Sequence, residues 1–218
     1  MCFNYESSIA ALIVGLAGSI ALFSLGSIND KILGAFFGYV SLMQGIDAIL
    51  WKNQTCDYFH KNVTSLGMTL NLTQPLFLAV VVFIFNPKLK HGTSIAVISV
   101  IYLLCMAWFI NDNYNQTYCT TPRKDDPHLV WNWTMFETRI RDWAVYLSTL
   151  CLISVLGLSS LTSGIIVALS FVIGATASFF IYPRQSIGSI WCFFSALVSP
   201  IVYGYRLLPK QYMALDIA

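Results

Sequence analysis

Charge is what this 218-residue chain has least of. Asp, Glu, Lys and Arg together make up 10% of it, where a soluble domain carries about 25%, so most of its surface is not built for water. Residues that do chemistry are also sparse. The three histidines, His60, His91 and His128, fall in separate connections, and no His-x-x-x-His, Cys-x-x-Cys or paired-aspartate pattern occurs within an apolar run. Neither a metal site nor an enzymatic activity is therefore expected, and no nucleic-acid partner is expected.

What the chain has instead is apolar length. Hydrophobic residues make up 57% of it, mean hydropathy is +0.69, and seven runs cover 7–25, 32–51, 64–85, 93–110, 143–158, 162–182 and 186–206. About 20 helical residues cross a hydrocarbon core, so each run is read as a transmembrane helix. Barrel strands would alternate over about ten residues, and these runs are continuously apolar. The expectation is all-α: a polytopic integral membrane protein, one domain over 1–218, whose partner is the lipid bilayer. The first run resembles a secretory signal in position, but its leader carries Glu6 and no base, so it is kept as a span.

Seven crossings put the termini on opposite sides. Lys and Arg do not decide which is cytosolic, because an outside N-terminus places five inside and seven outside, four of the seven in the connection 111–141. The cysteines are more informative. Under this topology Cys2, Cys56, Cys119 and Cys192 map to one side, whereas Cys105 and Cys151 fall within spans. Thiols gathered on one face suit disulfides in an oxidising compartment. Cys56 with Cys119 is the preferred pair and Cys2 with Cys192 the second, out of three connectivities. Sequons at Asn53, Asn115 and Asn132 share that face, and Asn62 starts another near the membrane. These signals place the N-terminus outside, in a secretory-pathway, plasma or viral membrane. All six tryptophans fall near the outer ends of spans, where the headgroup level suits them.

Polar residues inside spans are costly and so invite a role. Gln44 and Asp47 are three residues apart in the second run and share a helix face, as do Asn71 and Gln74 in the third. Pro75 removes a backbone donor and frees the carbonyl of Asn71. The stretch Glu137 to Trp143 brings Arg139, Arg141 and Asp142 to the mouth of the fifth span. Together these residues suggest an outward-opening vestibule floored near Gln74, walled by Asp47 and Asp142 and crossed by Arg139 or Arg141, above an inner half that is almost purely apolar. The same residues could instead be satisfied interhelical contacts. Small-residue faces, Gly15 to Ser19, Gly34 to Gly38 and Gly174 to Ser178, suit close packing within the bundle or oligomerisation, and Ser199-Pro200 should bend the last span.

Several strings resemble known families. Arg139-Ile140-Arg141-Asp142-Trp143 is similar to the third helix of microbial rhodopsins, but all seven lysines lie in connections or tails, so a retinal Schiff base is excluded. Ser199-Pro200-Ile201-Val202-Tyr203 is similar to the Asn-Pro-x-x-Tyr of G-protein-coupled receptors, without the matching Asp-Arg-Tyr in the third span. Met1-Cys2-Phe3-Asn4 and Gly188-Ser189-Ile190-Trp191-Cys192 resemble the anchors of multi-helix membrane proteins of large DNA viruses and protists, a resemblance that implies about seven helices and no activity. The three-one-three order of spans resembles the small sugar-facilitator folds, although the two halves share no residue-level repeat. The functional expectation is transport or permeation of a small solute or ion. The alternative is a non-enzymatic receptor, sensor or assembly subunit binding a ligand or partner on the outer face.

Overall fold

In a computed structural model, residues 4–113, 119–122, 128–131, 136–181 and 187–208 are described. The chain is mostly helical, and a helix or a broken pair of helices underlies each of the seven apolar runs. The order is α1 (Tyr5–Ser24), α2 (Ile28–Lys52), α3 (Tyr58–Leu72), α4 (Gln74–Phe85), α5 (Gly92–Asn113), β1 (Thr121–Pro122), β2 (Leu129–Val130), α6 (Phe136–Gly157), α7 (Leu161–Ile181), α8 (Ile187–Ala196) and α9 (Val198–Arg206). The two short strands pair antiparallel, Thr121 with Val130 and Pro122 with Leu129.

Helix starts follow from capping side chains. Asn4 accepts from the Ser7 amide at 2.7 Å while Ser7 Oγ accepts from the Asn4 amide, a reciprocal capping box that opens α1. Ser27 accepts from the Asp30 amide to start α2, and Asp57 from the His60 amide to start α3. Gly26 takes φ +88, which an L side chain rarely adopts, and so allows the tight turn between α1 and α2.

Both interior prolines break their helices. Pro75 cannot continue the ladder, and α3 and α4 meet at Thr73 with a bend of 48°. Other side chains take up the backbone and hydroxyl groups around this break. Tyr102 OH donates to Leu72 O at 2.7 Å, and Tyr39 OH and Thr73 Oγ1 share a hydrogen bond of 2.7 Å. The expected bend in the last span appears as a break at Leu197, ahead of Pro200.

Seven crossings were expected from the apolar runs; among the described residues, three helices, or four with the bent pair, are long and apolar enough for one. Helices α1 and α2 and the stretch Gly92–Phe109 of α5 are long and apolar enough to cross a membrane, and α3 with α4 makes a fourth if the bent pair is one span. The break at Leu197 leaves α8 with 10 residues and α9 with 9, each too short to cross alone, and the apolar part of α7 within the described residues, Leu161–Thr176, is also short of a full span. The connection expected over 111–141 is shorter too, since α5 runs to Asn113 and α6 starts at Phe136.

The outward surface carries large apolar side chains such as Ile20, Leu104, Ile173 and Ile201, while Ser8, Ser19, Ser41, Gln44, Asp47, Thr64 and Gln74 are buried. That distribution reverses the one expected in water, where buried polar groups are the exception. At the centre, Phe36, Phe37 and Phe171 meet edge to face or tilted, and Phe171 leads on to Trp191, Tyr146 and Trp143.

The glycine faces are occupied by the chain's own helices. A Cβ on Gly18 would lie 2.6 Å from the Pro200 ring, one on Gly15 2.9 Å from Ala196 O, and one on Gly34 2.7 Å from Ser19 O. Helix α1 is thus seated between α2 and the broken pair α8 and α9, and Gly174 of α7 approaches the Trp191 ring. Close packing of this kind is what small-residue stripes permit.

Candidate functional site

Asp47 and Gln44 lie on one face of α2, and both are fully buried. The Asp47 carboxylate accepts a hydrogen bond of 3.1 Å from the indole N–H of Trp131, which follows β2 in the connection between α5 and α6. Trp131 is itself 1% exposed, so it closes over the acid like a plug. Two amides lie nearby, one on either side of the break between α3 and α4. Asn71 Nδ2 donates to Cys192 Sγ of α8 at 3.8 Å, and Tyr146 OH of α6 donates to Gln74 Oε1. Cys192 links the set, since its sulfur lies beside Asn71 and Gln74 and within electrostatic reach of Asp47.

The structure therefore brings Asp47, Asn71, Gln74 and Cys192 together, with Tyr146 and the aromatic pair Trp143 and Trp191 packed alongside. Among the described residues, the buried polar atoms that lack a partner of good geometry include Gln74 Nε2, although Cys192 is close, and Thr64 Oγ1. A buried polar atom without a partner costs about 1–3 kcal/mol, so each is retained against a penalty. The break between α3 and α4 matters here, because it turns Gln74 inward at the start of α4 while Asn71 stays on the last turn of α3.

Arg141 is not among these residues. Its side chain is 61% exposed, and its guanidinium lies 3.9 Å from the ring centroid of the exposed Trp108, a cation–π contact on the outer surface. Asp142 is turned toward it, Oδ1 to Nε 3.5 Å. Of the two arginines expected to cross the vestibule, Arg141 therefore lies outside it. The backbone of Arg139 is helical in α6, but its side chain lies outside what is described, as do Cys2, Asn115 and Asn132. Asn53 is half-buried at the end of α2, its amide 3.4 Å from Asp57.

A lid stands over the Asp47 end. Cys56, between α2 and α3, and Cys119, after α5, form a disulfide with Cα atoms 5.8 Å apart. The second expected bridge, between Cys2 and Cys192, does not form, because Cys192 is a free thiol buried beside Asn71. Sequence reasoning passed over His60, which ties the same two connections together. Its Nδ1 faces the Asn53 carbonyl at 2.5 Å and its Nε2 accepts from the Thr120 amide at 3.1 Å. Those contacts require the neutral ring with its proton on Nδ1. The nearby Asp57 carboxyl is held below its ordinary value, chiefly by the hydrogen bond from the His60 amide.

Three of the six tryptophans turn into the bundle. Trp131, Trp143 and Trp191 are buried in the core, whereas Trp108 is exposed. Whether a tryptophan turns inward or outward is a choice that neighbouring helices make and sequence position does not.

The opposite end is more polar than the sequence suggested. Asp30 of α2 pairs with Arg206 of α9 at 3.1 Å, with little of either side chain exposed. Asn29 Oδ1 accepts from the Ser159 amide, and Asn86 Nδ2 donates to Gly157 O. Three cavities of about 640, 330 and 540 Å³ border the bundle. The first is an apolar groove between α1, α2 and α3, the second a cleft between α1 and α2, and the third lies at the Asp30 end. None of these three is lined by the Asp47 group.

No protein family, curated protein or solved structure matches the chain. The likeness to viral and protist membrane proteins accordingly stays with its two short strings.

Proposed function

We propose that the chain is a multi-pass membrane protein with its N-terminus outside, its seven helical segments crossing the bilayer, and that it moves a small solute or ion through the Asp47 group. One observation carries this reading: a carboxylate fully buried in an apolar bundle, covered by a tryptophan from a disulfide-tied lid. Ionisable groups within spans mark solute and ion paths. Transporters commonly build such sites where helices are interrupted in corresponding positions of two halves, and here the third and seventh segments are the broken ones. The structure is closed at the Asp47 end, so passage requires Trp131 to leave the acid. On this topology the disulfide is extracellular or lumenal, and Asn53 is the described glycosylation acceptor.

The test is flux into liposomes holding the purified protein, measured for protons, monovalent cations and small polar solutes. Asp47→Asn keeps an acceptor for the Trp131 indole and removes the charge, so flux should vanish in a folded protein. Trp131→Phe loses the hydrogen bond of the plug and should raise flux. A folded wild type with no flux above empty liposomes would refute transport and leave the receptor or assembly-subunit reading. Flux unchanged by Asp47→Asn would remove Asp47 from the path.

A further inference from the structure

The 540 Å³ cavity at the Asp30 end is built from two connections and the start of α2, and divides into two chemical halves. Lys88, Lys90 and His91 come from the turn between α4 and α5, and Ser159 from the turn between α6 and α7. Leu156, Leu158 and Leu161 supply an apolar wall. No Asp or Glu lines it. The acid nearest in sequence to the lining residue Ile28 is Asp30, and Arg206 already holds it. Lys88, Lys90 and His91 line the cavity and are exposed.

We infer that this cavity is a binding site for an anionic phospholipid of the adjoining leaflet, its phosphate held by Lys88 and Lys90 and its glycerol and upper acyl carbons lying on the leucine wall. Two observations select a lipid over a small free anion. The wall is continuous with exposed apolar side chains, Leu161 at 63% and Ile28 at 38% exposure, and inorganic phosphate has nothing to bury there. The lysines also lie in a short turn between the apolar helices α4 and α5, beside the helix ends. Basic pockets between helices on the cytosolic side hold anionic headgroups in this way, and the assignment agrees with an N-terminus on the opposite side. It requires that the bundle lie in a membrane but is independent of whether the protein transports.

Native mass spectrometry of protein released from nanodiscs of phosphatidylcholine with a minor share of phosphatidylserine tests the site. The wild type should retain phosphatidylserine selectively. Each lysine near an anionic headgroup contributes about 1 kcal/mol, so Lys88→Gln or Lys90→Gln should weaken retention about fivefold and the double variant about 30-fold, while Lys88→Arg with Lys90→Arg keeps it. Both side chains are exposed, so these variants fold. Equal retention of the two lipids by the wild type would overturn the inference, as would undiminished phosphatidylserine in the double Gln variant. Binding of inorganic phosphate to delipidated protein, lost in that variant, would overturn the lipid in favour of a free anion.

Discussion

Gly34 and Gly38 sit four residues apart on α2, on a single small-residue stripe, yet the structure gives them opposite tolerance to a methyl group. A Cβ on Gly34 meets Ser19 O at 2.7 Å and Phe23 N at 2.8 Å. Both are backbone atoms of α1, so that helix must move as a body. A Cβ on Gly38 meets Ser19 Cβ at 3.4 Å, the near edge of ordinary contact. Replacing Gly by Ala within a helix contributes about 0.8–1 kcal/mol of propensity at either position. That term cancels when the two variants are compared, and what remains is overpacking, typically 1–3 kcal/mol. Gly34→Ala should therefore be less stable than Gly38→Ala by about 1–3 kcal/mol, with Gly38→Ala equal to the wild type or better. Equilibrium unfolding of purified protein in mixed micelles, followed by tryptophan fluorescence, reads the difference directly. Equal stabilities, or a worse Gly38→Ala, would show that α1 and α2 are not seated as described. Gly45, whose Cβ would meet Leu12 at 3.5 Å, is a second position expected to accept Ala.

The pair of Asp30 and Arg206 should show strong coupling: Arg206→Gln leaves a mostly buried carboxylate without its partner and should destabilise by about 2–4 kcal/mol, discounted from the roughly 3–5 kcal/mol of fully buried pairs because Arg206 keeps some solvent. Adding Asp30→Asn should restore much of the loss, and additive single effects in a double-mutant cycle would deny the interaction. The lid should loosen in acid. The folded-state value of Asp57 lies below its ordinary 3.8, so its contribution is fully present above about that pH and is lost as pH falls through the lowered value. The protection of the His60 amide, its exchange rate relative to an unfolded chain at the same pH, should fall only in that acid range, and Asp57→Asn, a neutral cap of similar geometry, should leave that protection independent of pH.

Much of the architecture follows from local properties of the chain. Apolar run length and proline each act within a few residues, so the helical segments and the disturbed backbone at Pro75 were legible in order, whereas the caps and the turn at Gly26 emerged only with the structure. The Cys56 to Cys119 link needed only the parity of helix reversals to bring two connections to one end. The shared faces of Gln44 with Asp47 and of Asn71 with Gln74 follow from helical periodicity. Which way each face turns does not. Trp131, Trp143 and Trp191 point inward and Arg141 outward because of the helices that happen to stand beside them.

Tertiary structure alone decided the remaining contacts, and their sequence separations show why. Asp30 lies 176 residues from Arg206, Asn29 lies 130 from Ser159, and Asn71 lies 121 from Cys192. Composition and periodicity establish that a polar side chain in an apolar helix needs a partner, because an unpaired one is costly where water is absent. They cannot name that partner, since the choice depends on which of several similar helices packs alongside, and that is settled by whole-bundle packing around small residues such as Gly15, Gly18 and Gly34.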